Sequence, residues 1–436
     1  MKTLLISHNS ISTYDNMGKT LLSLFSGFSK DELCQLYIHP SDPDVEACCS
    51  YYRITDKEAV VSAFLPFHGI GKVITEFDGR KNDDSSGRIR NRLTSTKEAI
   101  LLLLRDYFWK HSRWFNSGLK KWLISQRLDC VFVAPGSSKF IYDIALRISR
   151  ELSIPIITYI CDDFYFRTEE FDAVRRIHYR LLKGRIETLL ANSSYLITIS
   201  DNMREDYGKV FDVPSVTVMT GATIERAADV RIGEVRNISY FGNLSLGRYL
   251  NLVKIGRALD KINTEMHDTV RLHVYSGDTN SILNDKLSKP ESIILEGFVS
   301  GEEYDRAFSD ADALVHVESF EREYEERIKY SVSTKIADAL ASGKLLFAFG
   351  PSGVASMDYL KESGSAWTVT DPMMLDSEIR RMLTDPKTRV ELEKKGLETA
   401  GINHDSKESS MKVRTVIDKV TDKDALNEGY AIQYFK

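Results

Sequence analysis

Short aliphatic runs alternate with longer amphipathic stretches from the first residues to about residue 370. TLLIS (3–7), LCQLYIH (33–39), DCVFVAP (129–135), IPIITYI (154–160) and SYLITIS (194–200) are rich in β-branched and aliphatic residues. They are too short for helices, so each predicts a buried strand. A helical pattern separates each from the next, which predicts a parallel, doubly wound α/β sheet. The alternation restarts at RNISYF (236–241) and continues through VRLHVYSG (270–277), SIILEGFV (292–299), ALVHVES (313–319), LLFAF (345–349) and AWTVT (366–370). A second sheet of the same kind is expected there. Residues 198–225 read as a strand, a helix led by Asp201 and a short strand, with a linker at about 226–236. The chain has 436 residues, too many for one core. The expected division is residues 1–228, residues 229–405, and a helical segment 406–436 packing back toward the first domain.

Candidate chemistry falls in the loops at strand ends, where open parallel sheets hold ligands. The stretch SVSTKIADALASGKLLFAFGP (331–351) reads as loop, short helix and strand, with Ser333 as N-cap and Gly343 as the glycine after the helix. Free N–H groups at the helix start and the Lys335 ammonium favour an anion beside Ser333 and Thr334. Thr334 and Asp338, four apart, share a polar face on which Asp338 is expected to accept from ribose hydroxyls. An ordinary capped helix fits the same residues. YFGNLSLGR (240–248) supplies a second diphosphate loop, with Gly242, Asn243, Gly247 and Arg248. After the first strand, Asn16, Gly18 and Lys19 stand where a loop turns into a helix, so the backbone can approach a ligand at Gly18 or simply turn there. Asp162 and Asp163 follow the strand IPIITYI and fit a metal site, a general base or a helix cap.

Charge narrows the partners. The chain carries 58 basic and 63 acidic residues, a net charge of −5, which argues against a general nucleic-acid binder. Five cysteines without paired metal spacing suggest a reducing compartment, and the opening MKTLLISHNS reads as a strand rather than a signal sequence. No apolar run is long enough to span a membrane. Residues 78–122 form a basic, aromatic insert, with eleven Lys/Arg against five Asp/Glu. That composition suits a membrane-surface or acceptor-gripping element, or a helix pair with its arginines in solvent.

The motifs TISDNMREDYGKVF, YFGNLSLGR, ILEGFVSGEEYDRAFSDADALVHVESF and STKIADALASGK together span most of residues 195–370, and they resemble glycosyltransferases of the GT-B fold. The similarity is greatest to the retaining bacterial enzymes of capsule, O-antigen and exopolysaccharide assembly. It implies two Rossmann-like domains facing across a cleft. The C-terminal domain would hold a UDP- or GDP-sugar and the N-terminal domain a glycan or lipid-linked acceptor, with no cofactor and no bound metal. The family pairs two glutamates eight positions apart, the first near the sugar and phosphates and the second on the ribose. Glu318 resembles the first, and Asp338 stands where the second is expected, 20 positions on (338 − 318). Ser333, Thr334 and Lys335 resemble the phosphate-contacting turn, Gly242 with Arg248 the opposing loop, and Phe298 and Val299 the positions flanking the base. Glu318 or Asp163 would be the catalytic carboxylate. The resemblance places the reaction in the cytoplasm, at or near the inner face of the plasma membrane. A nucleotide-sugar epimerase, a metal-dependent transferase using Asp162 and Asp163, and a non-catalytic sugar-binding or scaffold protein are the competing readings.

Overall fold

The computed structural model describes residues 1–13, 16–65, 69–75, 95–167, 172–230 and 233–422. It contains two compact units, one of residues 1–219 together with the chain from Ser406 onward, the other Thr220–Asp405. The first unit carries strands β1 (Thr3–Ser7), β2 (Leu33–Tyr37), β3 (Ser50–Arg53), β4 (Lys72–Ile74), β5 (Cys130–Ala134), β6 (Ile156–Ile160), β7 (Tyr195–Thr198) and β8 (Ser215–Thr217). Its helices are α1 (Asn16–Leu24), α2 (Asp56–Phe64), α3 (Ser95–His111), α4 (Ser117–Gln126), α5 (Lys139–Leu152), α6 (Ala173–Ala191) and α7 (Asp201–Gly208). The sheet order is β4-β3-β2-β1-β5-β6-β7-β8, parallel throughout except for β4, which runs antiparallel to β3. β1 lies at the centre, with Leu4 paired to both Cys34 and Val131, and every residue of β1, β2, β5 and β6 is buried. Burial on both faces is why these runs are continuously apolar rather than alternating.

The second unit contains β9 (Asn237–Phe241), α8 (Arg248–Met266), β10 (Arg271–Tyr275), α9 (Ser281–Leu287), β11 (Ile293–Gly297), α10 (Glu302–Asp310), β12 (Ala313–Val317) and α11 (Arg322–Ile328). It continues with α12 (Thr334–Ala341), β13 (Leu345–Phe349), α13 (Ala355–Ser363), β14 (Trp367–Val369), α14 (Leu375–Thr384) and α15 (Pro386–Asn403). The sheet is fully parallel in the order β11-β10-β9-β12-β13-β14. The first strand of each unit therefore has neighbours that leave it in opposite directions, β2 and β5 around β1, β10 and β12 around β9. This opens a crevice at the carboxyl ends, where ligands of such sheets bind.

Three expectations change. β3 and β4 were not foreseen, because SYYR is short and half polar and β4 is a three-residue edge with Lys72 and Val73 exposed. The division comes after Met219 rather than after residue 228, since residues 220–228 are bonded into the second unit. Ala222 N donates to the His404 carbonyl at 2.8 Å and Ala227 N to the Ala341 carbonyl at 2.8 Å. Of the basic insert, residues 78–94 lie outside the described residues, including Arg88, Arg90 and Arg92; residues 95–122 contribute α3 and the start of α4. The chain ends its described course in α16 (Ser406–Thr421), which packs on α1 within the first unit.

Candidate functional site

At the crevice of the second sheet, β9 runs into the loop Gly242–Gly247 and then α8. Gly247 has φ +72°, and a Cβ there would collide with Ser319 Oγ and the Tyr324 ring, so the loop closes against the end of β12 only with glycine at this position. Asn243 is fixed by Tyr240, whose hydroxyl donates to its carbonyl at 2.6 Å. Arg248, first residue of α8, sends Nη1 to Asn243 Oδ1 at 2.9 Å and Nη2 to both carboxylate oxygens of Glu318 at 3.1 Å. Glu318 is 1% exposed, and its carbonyl accepts from Asn251 Nδ2. Burial pushes the Glu318 carboxyl up, and the Arg248 guanidinium opposes that rise. His316, two residues earlier on β12, lies 3.7 Å from Glu318 Oε1 and shares a hydrogen bond with Ser356 Oγ at 3.0 Å. Burial, with Arg248 nearby, brings His316 down to about 3, so it is neutral at physiological pH.

The fold thus gathers Gly242, Asn243, Arg248 and Glu318 into one buried-ended cluster. Asn251, His316 and Ser356, which support it, carry no local sequence signal, since each reaches the cluster from the interior face of its own element. Arg248 and Glu318 neutralise each other, so an anion bound beside the 242–247 loop would share the guanidinium with Glu318.

A second group adjoins it. Ser333 caps α12, its side chain accepting from Lys335 N at 3.4 Å, and Gly343 follows the helix with φ +68°. Thr334 and Lys335 are exposed, and the Lys335 ammonium stands 5.8 Å from the Tyr304 ring centre. Tyr304 packs edge-on to Phe241 at 5.1 Å, and Phe241 stacks on Tyr275 at 4.6 Å. Val299 is half-buried against this same aromatic cluster, whereas Phe298 at the end of β11 is 73% exposed beside Gly277. Lys335, Val299 and Phe298 accordingly share the rim formed by the ends of β9, β10 and β11. Phe241, Tyr275 and Tyr304 went unremarked in the sequence, although two of them are the terminal residues of their strands.

Asp338 departs from expectation. It is 8% exposed, and its Oδ1 accepts from Thr223 N at 2.6 Å, while the Thr223 hydroxyl donates to both oxygens at 3.0 Å. Of that polar face, Asp338 is turned onto Thr223 rather than to an open rim while Thr334 stays exposed, so the carboxylate anchors the 220–228 segment. The family spacing of eight also falls on Glu326 (318 + 8), which lies on α11 and is half-buried.

In the first unit, Asp163 is likewise spent internally. Its Oδ1 accepts from Tyr165 N at 3.0 Å and from the Tyr207 hydroxyl at 2.7 Å, and Phe166 N donates to Oδ2 at 3.2 Å. Asp163 closes a turn; Asp162 beside it is the solvent-exposed one, on the lip of a shallow pocket with Gly136, Cys161 and Phe164. Gly18 approaches Ser12 and the Ser10 carbonyl too closely for any side chain, so its small size serves the chain's own loop rather than a ligand. Asn16 opens α1 and Lys19 is half-buried on it. At the β1/β5 crevice, Arg105 of α3 donates from Nε to Asp56 Oδ1 at 2.8 Å and from Nη1 to Ser138 Oγ at 3.0 Å, with His8 Nδ1 3.3 Å from Nη2. Among the described residues no three His, Cys, Asp or Glu side chains converge as a metal-ligand set, and no helix is long and apolar enough to cross a membrane.

No protein-family model matches the chain, and no curated protein matches it. Solved structures do. Sucrose-phosphate synthase from Thermosynechococcus elongatus is 12% identical with a TM-score of 0.62, over 96% of this chain and 98% of that one. Anabaena HepE in complex with UDP is 11% identical with a TM-score of 0.61, over 96% and 100%. The α,α-trehalose 6-phosphate synthase from Burkholderia multivorans is 10% identical with a TM-score of 0.62, over 98% of each chain. The fold is therefore that of the GT-B glycosyltransferases.

Proposed function

We propose that this GT-B chain is a glycosyltransferase moving a sugar from a nucleotide-diphosphate sugar to a glycan or lipid-linked acceptor in bacterial surface-polysaccharide assembly. The observation that carries the reading is the Arg248–Glu318 couple at the crevice of the second sheet, where the glycine loop before α8 meets the end of β12. Charge builds on the β-phosphate as the glycosidic bond to the diphosphate breaks. Arg248, Lys335 and the N–H groups at the start of α12 are fixed donors for that charge, which is stabilisation by preorganised dipoles and cations. UDP in the HepE structure supports a UDP donor.

The first unit is assigned to the acceptor. There Asp162, whose side chain reaches solvent beside Gly136 and Phe164, takes the role the sequence suggested for Asp163, that of receiving the acceptor hydroxyl's proton. The donor's origin and the acceptor's class put the reaction in the cytoplasm at the inner face of the plasma membrane. A non-catalytic sugar-nucleotide-binding role is favoured by one feature, the mutual neutralisation of Arg248 and Glu318; donor hydrolysis or transfer by the wild-type protein rules it out.

Calorimetry with UDP, GDP and uridine tests the donor assignment. UDP or GDP binds, and Lys335→Ala weakens the diphosphate roughly tenfold, at about 1.5–3 kcal/mol per charge-assisted hydrogen bond, while leaving the nucleoside nearly unchanged. Turnover persists in EDTA, since the charges around the diphosphate are protein groups. No diphosphate binding, or loss in EDTA restored by manganese, refutes the assignment.

A further inference from the structure

Glu318 depends on a single cation. Its carboxylate is sealed from solvent, both oxygens take Arg248 Nη2 at 3.1 Å, and among the described residues no other cation pairs with it. Arg248 in turn reaches the 242–247 loop through Asn243 Oδ1, so the guanidinium stands between the buried carboxylate and the loop.

The elements packed around Glu318 offer it no second charge. On α8, Asn251 gives its amide to the Glu318 carbonyl, and Lys254 is turned to Asn251 Oδ1 at 3.2 Å and to the Phe320 ring. β12 supplies His316, which is neutral and tied to Ser356 of α13. On β9 the Tyr240 hydroxyl is engaged with the Asn243 carbonyl, and Asp278, after β10, takes the Leu244 N–H. α11 lays Tyr324 against Gly247 and leaves Glu323 and Arg327 exposed. At the end of β13, a Cβ on Gly350 would come within 3.1 Å of both Glu318 Cβ and the Met357 sulfur, so the carboxylate is closed off on that side as well.

We infer that a nucleoside diphosphate binding at this loop puts a proton on Glu318, because the incoming phosphate takes a share of the one guanidinium and the enclosed carboxylate is neutralised by a proton instead. An O–H bond forms on Glu318 with a proton drawn from solvent, and no bond of the ligand is broken. A buried carboxylate that loses its partner is held in the acid form, and a second negative charge beside it acts in the same direction. Burial already pushes the Glu318 carboxyl up with Arg248 opposing it, whereas His316 starts from about 3, so the proton goes to Glu318. Diphosphate affinity is then greatest below the Glu318 value of the free protein. It falls about tenfold per pH unit between that value and the higher one of the complex, and levels off above it. The inference rests on the reading that the diphosphate binds beside residues 242–247.

The test is calorimetry of UDP binding to the full chain at about pH 8, where a terminal phosphate with a second pKa of about 6 is already ionised. HEPES and Tris, which differ in heat of ionisation, are compared. The wild-type protein takes up close to one proton per UDP, read from the difference in binding enthalpy between the buffers, and its affinity for UDP weakens as the pH is raised. Uridine moves no proton. Glu318→Gln, neutral and of the same shape, takes up none, binds UDP more tightly than the wild type at this pH, and loses the pH dependence. Equal wild-type enthalpies for UDP in the two buffers, or proton uptake that survives Glu318→Gln, overturns the inference and leaves the donor reading standing. A wild-type protein that binds no UDP overturns both. The wild-type buffer comparison and pH dependence decide the matter without the variant.

Discussion

Arg248 and Glu318 are worth most to the molecule as a pair. A buried ion pair gains little over an apolar replacement, but removing one partner strands the other charge at a cost of about 3–5 kcal/mol. Glu318 has its carboxyl raised by burial, so whatever its protonated form contributes to stability is present below the unfolded value and lost as pH rises through the folded one. Removing Arg248 takes away the one influence that opposes that rise. Arg248→Met is therefore expected to lose most stability at neutral pH, where the stranded carboxylate must ionise or hold a proton against the solvent, and least in mild acid. Adding Glu318→Gln to it should recover much of the loss. Denaturant melts of the single and double variants at two pH values decide this; an equal loss at both, or no recovery, would show that the pair is not a closed electrostatic unit.

At the scale of elements, α12 has two ends with separate duties. Its start carries Ser333, Thr334 and Lys335 toward solvent, and its middle carries Asp338 into the Thr223 loop. Just beyond, Lys344 is 9% exposed, and its ammonium donates to the carbonyls of Phe308, Ser309 and Ala311, which closes the C-terminal end of α10. Asp338→Ala should lower stability by about 2–3 kcal/mol, because it leaves the Thr223 N–H without its acceptor. Thr223→Val should cost less, since the backbone bond survives. Lys335→Ala, on the exposed end, should leave the melting temperature unchanged. Thermal melts of the three variants check the order; a destabilised Lys335→Ala beside a stable Asp338→Ala would reverse the assignment of the two ends.

For the whole molecule, the return of the chain at Ser406 closes the first unit. α16 buries Val413, Val416, Ile417 and Val420, and Arg414 reaches Glu32 with bonds of 2.8 and 3.0 Å. The Arg414 guanidinium holds Glu32 down at about 2, against an ordinary 4.5. With a depressed folded pKa, the pair's contribution is present above about 4.5 and lost as pH falls toward 2. Both side chains are partly solvated, which limits the pair to about 0.5–1 kcal/mol. Arg414→Gln should lower stability by that amount at neutral pH, and the difference from wild type should vanish in acid. Chemical denaturation across that range measures it, and a constant difference would place the effect in the packing of the Arg414 guanidinium over the Phe28 ring, 4.1 Å from its centre, rather than in charge.

The apolar runs by themselves determined both parallel sheets and most of their strands, because residues buried on two faces leave a continuous signature that needs no neighbour to be read. They likewise placed the N-cap Ser333, the glycine after α12 and the loop before α8, whose residue preferences are set within a few positions of the chain. Only the tertiary structure decided which carboxylates are spent. Asp338 and Asp162 stand at polar positions that look alike in sequence, yet one is consumed by Thr223, 115 residues away along the chain, and the other is left open because Asp163 takes the turn's N–H groups. The Arg248–Glu318 pair, 70 residues apart, and the boundary after Met219 were hidden for the same reason. A hydrogen-bond partner brought by a distant loop costs the local pattern nothing and therefore writes nothing in it.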